Sequence, residues 1–277
     1  MKARYQYRFY PTDQQRQSLA RLFGCVRVVY NDALAICKQS EKKPRSAELQ
    51  KIVITQAKKT EARAWLSEVS NIPLQQSVAD LEMAFKNFFN SCNGKRKGTK
   101  VGYPKFKKRT NSQSARLTRG GFSFKNGGGV YLAKIGVVKP IWSRELPASP
   151  SSVTVIKDGA NRYFLSFVVD VEPVQIDAKN QSIGIDLGIK TFAVMSNGEK
   201  AFSPYYKVLD HRVRKRQKRL ARQQKDSNRR HKTRVQIAKV HNKIADTRKD
   251  FLHKLSTKVE ARKPSYSLGR FKCVRDG

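Results

Sequence analysis

The chain has 277 residues, with 58 Lys and Arg against 21 Asp and Glu and a formal net charge of +37. A small soluble domain needs a net charge of only about 2–8, so this excess points to a polyanion rather than to solubility. No apolar run approaches the roughly 20 residues that span a bilayer, and the four cysteines, Cys25, Cys37, Cys92 and Cys273, contain no C-x-x-C pair, which argues against a zinc ribbon or a disulfide scaffold.

Phosphate backbones suit such a charge better than acidic membranes, because each neutralised phosphate releases a condensed counterion. The segment MKARYQYRFYPTDQQ lacks the apolar core of a signal peptide, and a reducing cytoplasm is the expected setting.

In chain order, Tyr5, Tyr7 and Phe9 alternate with polar neighbours and predict a half-buried strand ending at Pro11. Thr12 and Gln15 then form a capping box. The helix that follows carries Leu19, Leu22, Phe23, Val26, Val29, Tyr30, Ala33 and Ile36 on one apolar stripe. Residues 46–68 read as shorter helices around Leu49, Ile52, Val53, Trp65 and Leu66. A second strong helix opens with Asn71 as N-cap and Pro73 in its first turn. Its stripe is Leu74, Val78, Leu81, Phe85, Phe88, Phe89 and Cys92. Residues 11–92 thus predict a small helical bundle.

The run NGKRKGTKVGYPKFKKR at 93–109 interleaves cations with aromatics. Lys95, Arg96, Lys97, Lys100, Lys105, Lys107, Lys108 and Arg109 suit a phosphate backbone, and Tyr103 and Phe106 suit base stacking; the alternative is a solvated linker. Residues 119–133 and 151–171 look β-rich. SVTVI and NRYFLSFVVDV flank the turn-forming KDGA, a hairpin whose expected buried positions are Thr154, Ile156, Phe164, Phe167 and Val169. These strands join the first one in a predicted small barrel, with the helices inserted between them.

After Pro173, residues 183–187 predict a buried strand, 191–196 a second, and Asn197-Gly198 a hairpin turn. From Val208 to Val259 neither Pro nor Gly intervenes, which predicts one long helix or a helical hairpin broken near Ser227-Asn228. Ile244, Phe251, Leu252, Leu255 and Val259 share its apolar face. Its first part carries Arg212, Arg214, Lys215, Arg216, Lys218, Arg219 and Arg222. Like charges four residues apart oppose a helix, so a phosphate partner explains this stretch better than a solvated face.

Asp186 stands in Ile183-Gly184-Ile185-Asp186-Leu187-Gly188. A carboxylate buried in an apolar strand is costly unless a cation or hydrogen bonds compensate. The phrase G-x-D-x-G alone is a weak signal, shared by metal-dependent nucleases of the ribonuclease-H-like fold and by sugar kinases and actin-like ATPases. Four stretches together are more specific: FYPTDQQRQSLARLFGCVRVVYNDAL, GYPKFKKR, IGIDLGIKTFAVMSNG and HNKIADTRKDFLHKLST. In their order and spacing the chain resembles the TnpB (OrfB) proteins of insertion sequences, transposase-like relatives of the type V CRISPR effectors.

That resemblance implies an α+β fold. A wedge-like β-barrel covers 1–10 and 110–175, a helical recognition lobe with its basic loop is inserted at 11–109, and an incomplete ribonuclease-H-like (RuvC) domain with a long basic helical region spans 180–258. It implies a prokaryotic, nucleoid-associated protein that pairs a guide RNA from the transposon end with double-stranded target DNA. Family members cut with two Mg²⁺ ions held by an Asp, a Glu and a second Asp, and Asp186 matches the first Asp.

The family pattern fades after DFLHKLST. The catalytic-Glu strand, the zinc ribbon and the last Asp are not found, and neither Glu260 nor Asp276 sits in matching context. Asp246 and Asp250 read as offsets to nearby Lys and Arg. Residues 259–277 are expected to be an aberrant, disordered tail, as after a frameshift, and a sheet lacking its inner strands is expected to expose apolar edges. The expected function is RNA-guided DNA binding without cleavage by this chain alone. The alternatives are an active endonuclease completed by another chain or frame, and a generic basic DNA-binding protein with sequence-indifferent affinity and a steep salt slope.

Overall fold

The computed structural model describes residues 1–110, 112–172, 182–188, 190–204, 206–262 and 265–268, and gives no side-chain description for 182 or beyond 259. The chain forms two compact units, Met1–Glu172 and Pro173–Gly277.

In the first unit, β1 (Lys2–Phe9) leads into α1 (Asp13–Gln39). Both halves of the capping box are made: Thr12 Oγ1 accepts from the Gln15 amide at 3.3 Å, and Gln15 Oε1 accepts from the Thr12 amide at 3.1 Å. A box of this kind satisfies two of the donors that a helix N-terminus leaves unpaired. Seven of the eight residues of the predicted stripe are buried, with Ile36 packed half-buried beside them.

The weak helical stretch resolves into α2 (Ser46–Gln50), a π-helical segment Lys51–Gln56, and 3₁₀ turns at Ala57–Lys59 and Glu61–Glu68. Then comes α3 (Asn71–Cys92). Its N-cap is Ser70, not Asn71, whose side chain instead accepts from the Lys58 ammonium. Burial along α3 stops at Phe85; Phe89 and Cys92 are exposed where the helix runs past the core.

The remaining strands are β2 (Gln113–Thr118), β3 (Phe122–Lys125), β4 (Gly129–Leu132), β5 (Gly136–Val138), β6 (Ser152–Lys157) and β7 (Tyr163–Asp170). They form a four-stranded sheet in the order β1-β7-β6-β2 and a three-stranded sheet β3-β4-β5. The first strand thus joins the late ones, with the helices between them in sequence. The expected closed barrel is not formed: β1 and β2 are the two edges of an open sheet. One face of that sheet packs against the smaller one through Tyr7, Phe124, Trp142 and Phe167, with Trp142 stacked 5.7 Å from Phe167.

The hairpin lies where expected, but in β6 the opposite face is buried. Val153 and Val155 point inward, and Thr154 and Ile156 lie half-buried on the outer face. In β7, Phe167 and Val169 are buried as expected with Leu165, while Phe164 is outward. A shift of one residue moves every side chain to the other face, and the β-branched residues on both faces of SVTVI give no contrast to choose between them. Asp158 holds the turn, accepting from the Ala160 and Arg162 amides at 2.9 and 2.8 Å and from Arg162 Nε at 2.7 Å.

The second unit has a sheet ordered β10-β9-β8-β11, made of β8 (Ser182–Leu187), β9 (Ala193–Met195), β10 (Lys200–Ala201) and β11 (Ser265–Leu268). Asn197 and Gly198 make the β9–β10 turn, Gly198 at φ +82°. The basic stretch is a helical hairpin, α4 (Lys207–Ala221) and α5 (Asn228–Arg262). Its break is set by Asp226 at φ +63° and by Arg230, whose Nη1 donates to the carbonyls of Leu220 and Gln223 at 2.7 and 2.9 Å.

Three expectations change here. β8 is an inner strand, paired antiparallel to β9 and parallel to β11, so it is covered on both sides. Residues 259–262 continue α5 and 265–268 form β11, whereas the other residues assigned to the tail, Asp276 and Cys273 included, lie outside the described residues, as does the Glu260 side chain. Leu252 is exposed; Phe251 meets Phe192 edge-on at 5.2 Å, and Leu255 and Val259 stay half-buried.

Candidate nucleic-acid interface

The basic loop follows α3 and is laid against the bundle. Asn31 on α1 clasps the backbone of Lys107 from both sides: its Oδ1 accepts from the amide at 2.8 Å, and its Nδ2 donates to the carbonyl at 3.1 Å. Ser91 Oγ accepts from the Val101 amide at 2.9 Å. A solvated linker would have no such anchors.

These anchors sort the predicted contacts. Lys95, Arg96, Lys97, Lys100, Lys105, Lys108 and Arg109 are exposed. Lys107 is half-buried, its ammonium 4.1 Å from the Tyr30 ring centroid, and burial pulls its pKa below the usual lysine value. Its charge is therefore used inside the protein. Tyr103 packs edge-on against Phe85 and Phe88, and Phe106 has the Lys38 ammonium 4.6 Å over its ring. Both rings remain part-exposed, at 40% and 45%.

Arg109 also faces cations of its own chain. The pKa values of Arg27 and Lys157 are lowered, first by burial and then by repulsion from Arg109. Such a like-charge group is relieved when an anion enters.

The outer face of the large sheet adds cations that the sequence reading passed over. The alternation that turns Tyr5, Tyr7 and Phe9 inward puts Lys2, Arg4, Gln6 and Arg8 on the other side of β1. The cross-strand register brings Arg8 opposite Phe164. Arg8 and Arg162 lie 5.7 and 5.4 Å from the Phe164 ring, and Arg116 pairs with Asp80 at 2.7 Å. Only the polar half of the strand alternation carried this signal.

In the second unit, Arg212, Arg214, Lys215, Lys218, Arg219 and Arg222 are exposed and Arg216 is half-buried, while Val213 seats α4. Among the described residues none of these seven cations has an ion-pair partner. Residues 207–262 hold 20 Lys and Arg against 5 Asp and Glu, so most of this charge has no internal counterion.

Asp186 sits on β8 opposite Val194, and it is exposed rather than buried. The desolvation cost that made a cation attractive from sequence is therefore not incurred here. Gly188 is glycine for a local reason: a Cβ there would stand 2.9 Å from the Thr191 carbonyl oxygen. Among the described residues, no three His, Cys, Asp or Glu come together to hold a metal. A two-metal centre needs several carboxylates, and among the described residues no such donor set forms around Asp186.

The fold and its surfaces define a mixed α+β protein of two units, each presenting cations that have no ion-pair partner among the described residues. Two family models define it further. The OrfB_IS605 family, described as "Probable transposase", matches residues 166–264, and its "Helix-turn-helix domain" matches residues 1–44. The chain belongs to this OrfB (TnpB) family of insertion-sequence proteins. Residues 1–44 contain one strand and the single uninterrupted helix α1.

Among curated proteins, the chain is 42% identical over 267 residues to a protein of Streptomyces pristinaespiralis named "Putative RNA-guided DNA endonuclease". It is 28% identical over 264 residues to "Putative RNA-guided DNA endonuclease InsQ" of Escherichia coli K12. The two alignments cover 94% and 92% of this chain but 64% and 62% of those relatives. "Virulence protein VsdF" of Salmonella dublin is 35% identical over 112 residues, 36% of this chain and 87% of that protein. Among the described residues no helix is long and apolar enough to cross a membrane.

Proposed function

We propose that this chain is an RNA-guided DNA-binding protein of the TnpB type, and that by itself it binds without cutting. Its partners on this reading are a guide RNA from the transposon end and double-stranded target DNA. The open sheet with its inserted helices corresponds to the wedge and recognition lobe, and the second unit to a ribonuclease-H-like domain. The observation that carries the reading is the stretch Arg212, Arg214, Lys215, Arg216, Lys218, Arg219 and Arg222 on α4 and its C-cap, seven cations with no ion-pair partner among the described residues. The names of the two long relatives support RNA and DNA as the partners.

The non-cutting part rests on the described residues alone: no set of three ligating side chains forms around Asp186 there to hold a metal, and a single carboxylate would hold Mg²⁺ weakly. The test is incubation of the purified chain with a transposon-end RNA, a matching DNA duplex and Mg²⁺. The expected result is a salt-sensitive complex with intact DNA, favouring that RNA over an unrelated one. Metal-dependent cleavage abolished by Asp186→Ala would overturn the non-cutting part. Affinity indifferent to RNA identity would leave only a generic basic DNA binder.

A further inference from the structure

One face of α1, beside its core stripe, lines a groove of about 380 Å³. Arg21, Gly24, Cys25 and Val28 follow at helical spacing, and with Arg27 they form one wall. Trp65 and Glu68, on the 3₁₀ turn Glu61–Glu68, form the other wall. That volume falls within the range of about 300–1,000 Å³ typical of small-ligand sites.

Two details suggest an occupant. Gly24 sits deep inside a 27-residue helix, where glycine is the poorest former after proline. Yet a Cβ at Gly24 would meet nothing within 4 Å. No neighbour in the chain requires glycine there, and the missing side chain leaves the helix backbone open to the groove. Trp65 is the second detail. It is 37% exposed, its orientation fixed by Nε1 donating to the Ala62 carbonyl at 2.9 Å, with the Arg63 guanidinium 5.9 Å over its ring. An indole fixed in this way at a groove wall offers a flat apolar face for stacking.

The charges select the occupant. Arg21 and Arg27 border the groove; Arg27 donates to Gln113 Oε1 at 2.9 Å, and Arg21 is bound only by a surface contact of 3.3 Å to Glu68, which leaves Arg21 the more available of the two. A flat apolar wall beside cations matches a base joined to its phosphate. We infer that this groove takes a single unpaired base of RNA, stacked against Trp65 over Gly24, with the adjoining phosphate at Arg21. RNA is the source because loops and bulges offer bases that have already left the stack, whereas duplex DNA keeps its bases inside. The inference rests on the proposed RNA-binding function and adds to it a specific contact.

The experiment titrates a ten-nucleotide oligoadenylate RNA into the full chain, following both Trp fluorescence and affinity, beside Gly24→Leu, Trp65→Leu and Arg21→Gln. Leucine at position 24 projects into the groove, and because it favours helix over glycine, the melting temperature of that variant should hold or rise. The expected result is quenching in the wild type, lost in Gly24→Leu and Trp65→Leu, with affinity down about tenfold in each, as removal of one stacked base predicts. Arg21→Gln should keep the quenching and lower the salt slope by about 0.7.

Wild-type affinity and quenching in a folded Gly24→Leu would overturn the inference. So would equal Trp65-dependent quenching by polyphosphate, which has no base, or quenching by single-stranded DNA but not RNA. If the wild type binds no RNA by any readout, the proposed function itself fails; binding that is indifferent to Gly24→Leu removes only the groove.

Discussion

The loop at 93–109 and the helix α4 carry nearly the same number of cations and use them differently. The loop has eight Lys and Arg and no acid in 17 residues, yet it is tied down. Asn31 clasps its backbone, Lys107 spends its charge on Tyr30, and Tyr103 packs on α3. In α4, Val213 is the one buried side chain, and the hairpin is closed from outside by Arg230 gripping carbonyls. A run of positive charge in a sequence thus describes two different surfaces. One is an anchored shelf with some of its cations internally satisfied, the other a rod whose cations from Arg212 to Arg219 have no ion-pair partner among the described residues.

The largest effect should come from the rod. Changing Arg212, Arg214, Lys215 and Arg219 together to Gln removes about four phosphate contacts, each shifting the slope of log affinity against log salt by roughly 0.9. Affinity for duplex DNA should fall by about a thousandfold at 0.1 M salt, with the slope shallower by three to four units. The same number of changes in the loop, at Lys95, Arg96, Lys97 and Lys107, should cost less, because the Lys107 charge is already spent on Tyr30. Equal losses, read by filter binding across a salt series, would erase the distinction.

Much of the first unit was legible because local signals agreed with one another. Thr12 and Gln15, the stripe from Leu19 to Ala33, and the hairpin around Asp158 each form from residues near in sequence. The break between α4 and α5 was legible for the same reason, since Ser227 and Asn228 interrupt a run of good helix formers. What failed depended on partners distant in sequence. The buried face of β6 is chosen by what lies above it, and Phe164 is tolerated outside because Arg8 and Arg162 flank its ring. The exposure of Asp186 and the internal use of Lys107 are of the same kind. Neither residue's surroundings can be known until α1 meets the loop or β8 finds β9.

A middle-sized effect tests whether the shelf is held. Asn31→Ala removes both clasping bonds and leaves the Lys107 amide and carbonyl without side-chain partners, which should cost about 1–3 kcal/mol. Denaturant unfolding reads that cost as a lower midpoint at unchanged slope. Because the loop would then pay an ordering cost on binding, affinity for RNA should drop about fivefold while the salt slope stays fixed. A shallower slope would mean that the clasp had been organising phosphate contacts directly.

The smallest effect separates two single lysines of equal formal charge. Lys218→Gln removes a free cation from the rod and should flatten the salt slope by about 0.9. Lys107→Met should leave the slope unchanged and affinity within about twofold, because that ammonium faces Tyr30 rather than solvent. The same contrast appears in stability against pH. Burial lowers the pKa of Lys107 below 10.5, so the unfolded chain holds this proton more tightly than the folded one. In the window between the lowered folded value and 10.5, raising the pH therefore stabilises the fold at this position. Lys107→Met has no proton to release, so the wild type should gain on the variant as the pH climbs through that window. Cys25, pushed up to about 11 by burial, works in the opposite direction between pH 9 and 11, but it is common to both proteins and cancels in their difference. A gap between the two unfolding curves that stays constant with pH would place the Lys107 ammonium in water, and the loop would then differ from α4 in shape alone.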